Sequence, residues 1–128
     1  MAFEHLGTKY DITPGSVTID SDDALSLATW WAELLGVEVK DFGGFYWLTR
    51  QDGGRFNLAV QQVPEAKSGK NRVHVDFGVL NLEAAEERVV ELGGTLGERH
   101  TWQRFEWRIC FDPEGNEFDI ARVVQDAA

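Results

Sequence analysis

The first regular pattern along the chain is a strict alternation of polar and apolar residues over positions 16–20, which read Ser-Val-Thr-Ile-Asp. Such alternation predicts a β-strand with one buried face, because successive side chains of a strand point to opposite sides. Leu and Trp then recur every three or four positions between residues 24 and 35, which predicts an amphipathic helix. Gly36 follows directly and suits the end of that helix.

Three more strands are predicted before a polar break, at residues 37–41, 45–50 and 55–63. Residues 64–71, which read Pro-Glu-Ala-Lys-Ser-Gly-Lys-Asn, are polar and contain both Pro and Gly, as is typical of a linker. The same order of elements is then predicted again. The second set is a strand at 72–79, a helix at 82–92 and strands at 95–99, 103–111 and 117–124.

The two halves also match residue by residue. At a separation of 58 positions, Ser16 matches His74 and Gly36 matches Gly94 by their place in the pattern, while at a separation of 62 positions Asn57 matches Asp119. We interpret this as a duplicated βαβββ module in an α+β protein. The predicted organisation is an N-terminal arm at 1–13, a first module at 14–63, the linker at 64–71, a second module at 72–124 and a tail at 125–128.

In four of the predicted strands, those at 16–20, 55–63, 72–79 and 117–124, alternate side chains form one apolar face and one small or polar face. If the helices cover the apolar faces, the polar faces are left to line a groove. The polar positions that carry candidate chemistry are Ser16, Asn57, Gln61, His74 and Asp119. Trp47 and Trp107 lie on central strands and could help to wall such a groove. The plain alternative is that these faces are ordinary solvent-exposed surface.

Glu106, Arg108 and Cys110 share one face of their predicted strand, and we place that face toward the groove. Glu106 and Arg108 could bind a polar substrate or take part in a cross-strand ion pair. Cys110 has no basic neighbour along the chain and is expected to be unreactive. His5 and His100 are expected on the surface.

Composition narrows the classes of function. The chain has 128 residues, with 12 Lys and Arg against 22 Asp and Glu, so its net charge is −10. This acidity argues against nucleic acid and anionic membrane surfaces as partners, and it makes an anionic substrate of the coenzyme A type less favoured. A single cysteine cannot form an internal disulfide, which fits a reducing cytoplasm. The glycine-rich and nucleophile motifs of nucleotide-binding and acyl-transfer enzymes are missing.

Four segments of the chain carry a resemblance to a known superfamily. They are LATWWAELLG at 27–36, QQVPE at 61–65, KNRVHVD at 70–76 and DPEGNEF at 112–118. With these segments the chain resembles the vicinal oxygen chelate superfamily, which includes glyoxalase I, extradiol dioxygenases and bleomycin or fosfomycin resistance proteins. Its small glyoxalase-like domains are the most similar group, and the resemblance covers residues 16–123.

The resemblance implies a fold in which two βαβββ modules form an open, eight-stranded, barrel-like sheet with a helix packed outside each module. It also implies ligand positions for one divalent ion (Zn, Ni, Mn or Fe). Carried over, these positions are Ser16, Asn57, His74 and Asp119. His74 and Asp119 are good ligands, whereas the neutral Ser16 and Asn57 depart from the family pattern, and a bound metal is left open. A homodimer is expected on the same ground.

Two functions follow, and the sequence leaves open whether the protein is an enzyme. The first is a small-molecule-binding protein of the resistance or sequestration type that has no metal. The second is a metal-dependent lyase or isomerase acting on a small carbonyl or hydroxy compound, with Asp119 or Glu106 moving a proton. Candidate substrate contacts in either case are Asn57, Gln61, Trp47, Trp107 and Arg108.

Overall fold

The computed structural model describes residues 15–49 and 57–124. The predicted N-terminal arm with His5, the turn near residue 53 and the C-terminal tail lie outside these ranges. The chain divides into two compact units, Met1–Lys67 and Ser68–Ala128. The division falls inside the segment that the sequence predicts as a linker, and the predicted module bounds stay predictions. Each unit is described below by itself.

The first unit is a four-stranded sheet with one helix. Its elements are β1 (Ser16–Ser21), α1 (Ala24–Leu35), β2 (Val39–Asp41), β3 (Phe45–Leu48) and β4 (Asn57–Gln62). The strand order is β1-β4-β3-β2, with β1 parallel to β4 and the other pairs antiparallel. The helix buries Leu27 and Trp31, and it ends at Gly36, whose φ of 69° lies in the left-handed region that favours glycine.

The second unit repeats this order. Its elements are β5 (Val75–Gly78), α2 (Leu82–Glu91), β6 (Thr95–Trp102), β7 (Phe105–Phe111) and β8 (Glu117–Val123). The strand order β5-β8-β7-β6 has the same mixture of one parallel and two antiparallel pairs. The predicted α+β class and the two tandem βαβββ modules are therefore confirmed. Neither described helix combines the length and the apolar character that a membrane crossing requires.

Two strands of the second unit differ in length from the prediction. β6 continues to Trp102 because it forms a hairpin with β7, and Gln103 in the connecting turn has a positive φ of 54°. β5 begins only at Val75, which lies opposite Phe118 near the start of β8. His74 therefore precedes the strand in which it was predicted.

Candidate metal centre

The pairing of β7 with β8 shows which side chains share a face of the second sheet. Ile109 lies opposite Asp119, and Trp107 lies opposite Ala121. Residues directly opposite each other project to the same side of a sheet, so these four share a face. We call this side the open face. Alternation along β5 and β8 adds Asp76, Gly78 and Glu117 to it, and His74 belongs to it through its contacts with Asp119 and Glu117. The other side, which carries Phe118 and Ile120, is covered by α2, and we call it the helix face.

His74, Glu117 and Asp119 form a cluster on the open face. One potential ligand atom from each lies within 4.8 Å of the others. Nε2 of His74 is 3.4 Å from Oδ2 of Asp119, and Nδ1 of His74 is 3.7 Å from Oε2 of Glu117. Oδ1 of Asp76 is 3.3 Å from Nε2 of the same ring. One imidazole thus lies among three carboxylates.

Local structure explains why these groups meet. Glu117 and Asp119 are two positions apart on β8, so their side chains project to one side while Phe118 between them is buried. β5 runs parallel to β8 from Val75, which places His74 beside the start of β8. The segment that leads into β5 also positions the Glu117 carboxylate. Nζ of Lys70 lies 2.7 Å from Oε1 of Glu117, and the backbone N–H of Glu117 donates to the side-chain oxygen of Asn71.

Asp119 has an unusual environment for a carboxylate. The residue is 8% exposed, and its Oδ1 has no hydrogen-bond partner among the residues that the structure describes. Burial raises the pKa of Asp119 to about 6. The hydrogen bond with Asp76 and the negative charges of Asp76 and Glu117 also raise this pKa, whereas the charge of His74 lowers it. A buried carboxylate oxygen without a donor is costly unless a cation neutralises it.

The donor set of the cluster fits a divalent metal ion. One imidazole nitrogen and two carboxylate oxygens are ligands that Zn²⁺, Mn²⁺, Fe²⁺ and Ni²⁺ accept in proteins, and three protein ligands leave room for a substrate. The observation that favours a cation at this position is Oδ1 of Asp119, which accepts no hydrogen bond from the part of the chain that the structure describes. Glu117 was not among the sequence-predicted ligands, although its place two residues before Asp119 on one strand was the signal that could have found it.

The other two predicted ligand positions lie in the first unit. Ser16 on β1 is directly opposite Asn57 on β4, so the two are neighbours on one face of that sheet. Asn57 is buried, and its Oδ1 also has no hydrogen-bond partner in the described part of the chain. Trp47 lies opposite Ala59 and thus on the same face, as does the exposed Gln61. None of these side chains carries a charge, and such neutral groups are at best weak ligands for a metal ion.

The sequence-based placement of Glu106 and Arg108 on the groove face is wrong. Arg108 lies opposite Ile120 on the helix face, and its Nε donates to Oε2 of the buried Glu86 on α2. Glu106 lies opposite Arg122 in a cross-strand ion pair and also accepts from Arg99. The charge of Arg108 is thus paired with α2, and that of Glu106 is paired with arginines on the neighbouring strands.

Trp107 and His100 form an aromatic pair beside the cluster. The rings are stacked with their centroids 5.5 Å apart, and the two residues are directly opposite on β7 and β6. Trp107 therefore lies on the open face, on the side of the strand opposite to Glu106 and Arg108, and its predicted contact with a substrate stays a prediction. His100 packs against an aromatic ring there, with 40% of its side chain exposed.

Comparisons with known proteins agree with this architecture. The family model of the glyoxalase-like domain matches residues 16–121. No curated protein matches the chain by sequence.

Among solved structures, the chain is similar to a glyoxalase/bleomycin resistance protein/dioxygenase family enzyme from Burkholderia phytofirmans. That similarity has a TM-score of 0.73 at 17% identity, covering 86% of this chain and 98% of the other. A lactoylglutathione lyase from Agrobacterium tumefaciens gives 0.66 at 16% identity, covering 89% and 96%. The fosfomycin resistance protein FosX from Mesorhizobium loti gives 0.67 at 15% identity, covering 88% and 92%. At these identities the structures establish a shared fold, and the family match covers most of the chain. The protein therefore belongs to the glyoxalase-like domain family, within the vicinal oxygen chelate superfamily.

Proposed function

We propose that the protein binds a small organic molecule on the open face of the second unit, and that His74, Glu117 and Asp119 hold one divalent metal ion beside it. The observation that carries this proposal is the buried Asp119 carboxylate, whose Oδ1 has no hydrogen-bond partner within residues 15–49 and 57–124, while an imidazole and a second carboxylate lie within reach. The reaction class that fits is a lyase or isomerase acting on a small carbonyl or hydroxy compound.

A metal ion at these residues would supply Lewis acidity that polarises an oxygen of the ligand. Side chains of the protein position the cluster, move the proton and contact the ligand. Lys70 and Asn71 hold Glu117 in place through its side chain and its backbone. Of the two carboxyls proposed to move a proton, Asp119 is the one at the cluster, whereas Glu106 lies on the other face of the sheet. Trp107 and Ile109 give the same face an apolar side.

The second candidate is a metal-free binding protein of the sequestration type. The observation in its favour is that Ser16 and Asn57, at positions that the resemblance assigns to metal ligands, are neutral and weak ligands. In that case the open face binds its ligand through the same carboxylates and aromatic rings. The homodimer and the cytoplasmic location also stay predictions.

Metal titration separates the two candidates. Protein stripped with a chelator is titrated with Mn²⁺, Ni²⁺ or Zn²⁺ by calorimetry, and protein purified without chelator is measured for metal content. We expect one ion per chain, and we expect His74→Ala, Glu117→Gln and Asp119→Asn each to weaken it by at least about tenfold.

Matched controls come from outside the cluster. His100→Ala removes an imidazole that is exposed as much as that of His74, at 40% of the side chain, and Glu98→Gln neutralises a carboxylate that is 82% exposed. Both variants should bind metal like the unmodified chain. Binding that is absent, or equally weak in cluster and control variants, rejects the metal-dependent proposal in favour of the sequestration type.

A further inference from the structure

A cavity of about 720 Å³ lies beside the candidate metal centre, within the second unit. This volume is in the range of small-molecule pockets. Alternation along β5 and β8 and the pairing of β8 with β7 place most of its lining on the open face. Those residues are Asp76, Gly78, Phe105, Ala121 and Val123, and Leu80, two residues beyond the end of β5, also lines the cavity.

The chemistry of this lining changes from one end to the other. Asp76, which contacts His74 of the cluster, exposes 66% of its side chain. At the far end, Leu80 is fully exposed and Val123 is 55% exposed, although both are apolar. Between the two ends, a Cβ added at Gly78 would meet no atom within 4 Å, so this position leaves open space on the sheet. The lining therefore suits a molecule with one polar and one apolar end.

The charged side chains around the cavity indicate whether the polar end of its ligand is cationic or anionic. Arg122 also lines the cavity, but its guanidinium is bound to Glu83 and Glu106. The Lys70 ammonium is bound to Glu117. An anionic ligand would therefore meet the Asp76 carboxylate while both of these cations are already paired, whereas a cationic ligand would add a second favourable contact to the one that Asp76 makes with His74.

We propose that this cavity takes the apolar portion of a small organic cation whose protonated nitrogen pairs with Asp76. The inference rests on the proposed function, in that the open face is the ligand-binding face, and it specifies the class of ligand. Asp76 is outside the proposed set of metal ligands, and the carboxylates of Glu117 and Asp119 would offset the charge of a divalent ion, so the preference for a cation is expected with and without metal.

Three probes with the same ring and different charge test this inference: 2-phenylethylamine, 2-phenylethanol and 3-phenylpropionate. Affinities are measured by calorimetry at low ionic strength, once with chelator and once with the metal that titrates the cluster. We expect the amine to bind about fivefold more tightly than the alcohol, as for one exposed ion pair, and the carboxylate to bind most weakly. Added salt should reduce the difference.

Two variants locate the effect. Asp76→Asn should remove the preference for the amine and leave the alcohol unchanged, whereas Glu91→Gln, a control on the exposed side of α2, should change neither. Gly78→Val should weaken all three probes by at least about tenfold by filling the cavity. Its melting temperature should stay or rise, because Gly78 is exposed, has no positive φ and is replaced by a strand-forming residue.

The outcomes separate this inference from the proposed function. The inference is overturned if the carboxylate probe binds as tightly as the amine, if no probe binds at millimolar concentration, or if Gly78→Val binds normally. Metal binding without a cation preference overturns the inference and leaves the metal centre standing. A cation preference without metal binding supports the inference and selects the sequestration type of function.

Discussion

At the scale of single residues, burial controls the chemistry of Cys110. The side chain is fully buried, and burial raises the pKa of its thiol to about 12, with the charges of Asp119 and Glu86 acting in the same direction and Arg108 opposing them. The thiolate is the reactive form of cysteine, so the expectation of an unreactive thiol agrees with this environment.

The raised pKa of Cys110 predicts a loss of stability at alkaline pH. The folded-state pKa exceeds the ordinary value of 9.0, so the stabilising contribution is complete below pH 9 and is lost as the pH rises toward 12. The free energy of unfolding, measured in urea between pH 8 and 11, should fall more steeply for the unmodified chain than for Cys110→Ala, by up to about 1 kcal/mol per pH unit. Parallel curves for the two proteins would contradict this.

Asp112 is a second residue whose role is set by burial. The residue is only 3% exposed. Its Oδ1 accepts from the backbone N–H groups of Glu114 and Asn116, and both carboxylate oxygens accept from Nδ2 of Asn116. Asp112→Ala should cost about 2–4 kcal/mol of unfolding free energy, because it removes the carboxylate that accepts from these buried and part-buried donors.

Asp41 provides the matched control for Asp112. It makes a similar turn contact, with Oδ1 accepting from the N–H of Gly43, but it is exposed. Water can replace its carboxylate there, so Asp41→Ala should cost less than about 1 kcal/mol. Equal losses for the two variants in chemical denaturation would show that burial does not set the cost.

At the scale of elements, the two helices pack on their sheets by different means. Helix α1 buries Leu27, Ala28 and Trp31 in an apolar contact. Helix α2 buries Leu82 and Val89 but also Glu86, whose carboxylate binds Arg99 and Arg108 of the sheet. Helix α2 therefore adds part-buried charge pairs to its apolar contact, whereas the contact of α1 is apolar and includes Trp31.

This difference predicts a strong effect of one neutral substitution on α2. Glu86→Gln should lower the free energy of unfolding by about 2–3 kcal/mol, because it removes the negative charge from between two arginines in a partly buried contact. Glu87→Gln, at the exposed neighbouring position, should change it by less than about 0.5 kcal/mol. Urea denaturation of both variants measures this, and similar small effects would mean that the ion pairs contribute little.

At the scale of the whole molecule, the modules share an order of elements but differ in their chemistry. In the first unit the ligand-type positions hold the neutral Ser16 and Asn57, while in the second an imidazole and carboxylates cluster. The titratable groups of the proposed site all belong to the second unit. We interpret the first module as having kept the fold of the repeat and the second as having kept its charged groups.

The repeated strand order predicts a repeated pattern of amide hydrogen exchange. Strands β4 and β8 have a hydrogen-bonded neighbour on each side within their own sheets, and Val60 and Ile120 at their centres are buried. We therefore expect the slowest exchange at these inner strands and faster exchange at β2 and β6, which lie at sheet edges. Residue-resolved exchange by NMR tests this, and equal protection of edge and inner strands would contradict it.

The sequence by itself determined the order of elements and the alternation along each strand. Alternation is a local property of the extended backbone, so the pattern around residues 16–20 and 117–124 was enough to separate the apolar from the polar positions. The same pattern correctly placed His74 and Asp119 with the polar positions, and it carried the signal for Glu117, which lies two residues before Asp119.

Only the tertiary structure decided which face of the second sheet the helix covers. Glu106 and Arg108 are polar, so their pattern alone favours an uncovered face, yet Glu86 on α2 supplies the opposite charge that lets Arg108 lie beneath the helix. The meeting of His74 with Asp119 likewise depends on the parallel pairing of β5 with β8. Pairing between segments more than 40 residues apart is fixed by packing and hydrogen bonding across the chain, which local periodicity does not encode.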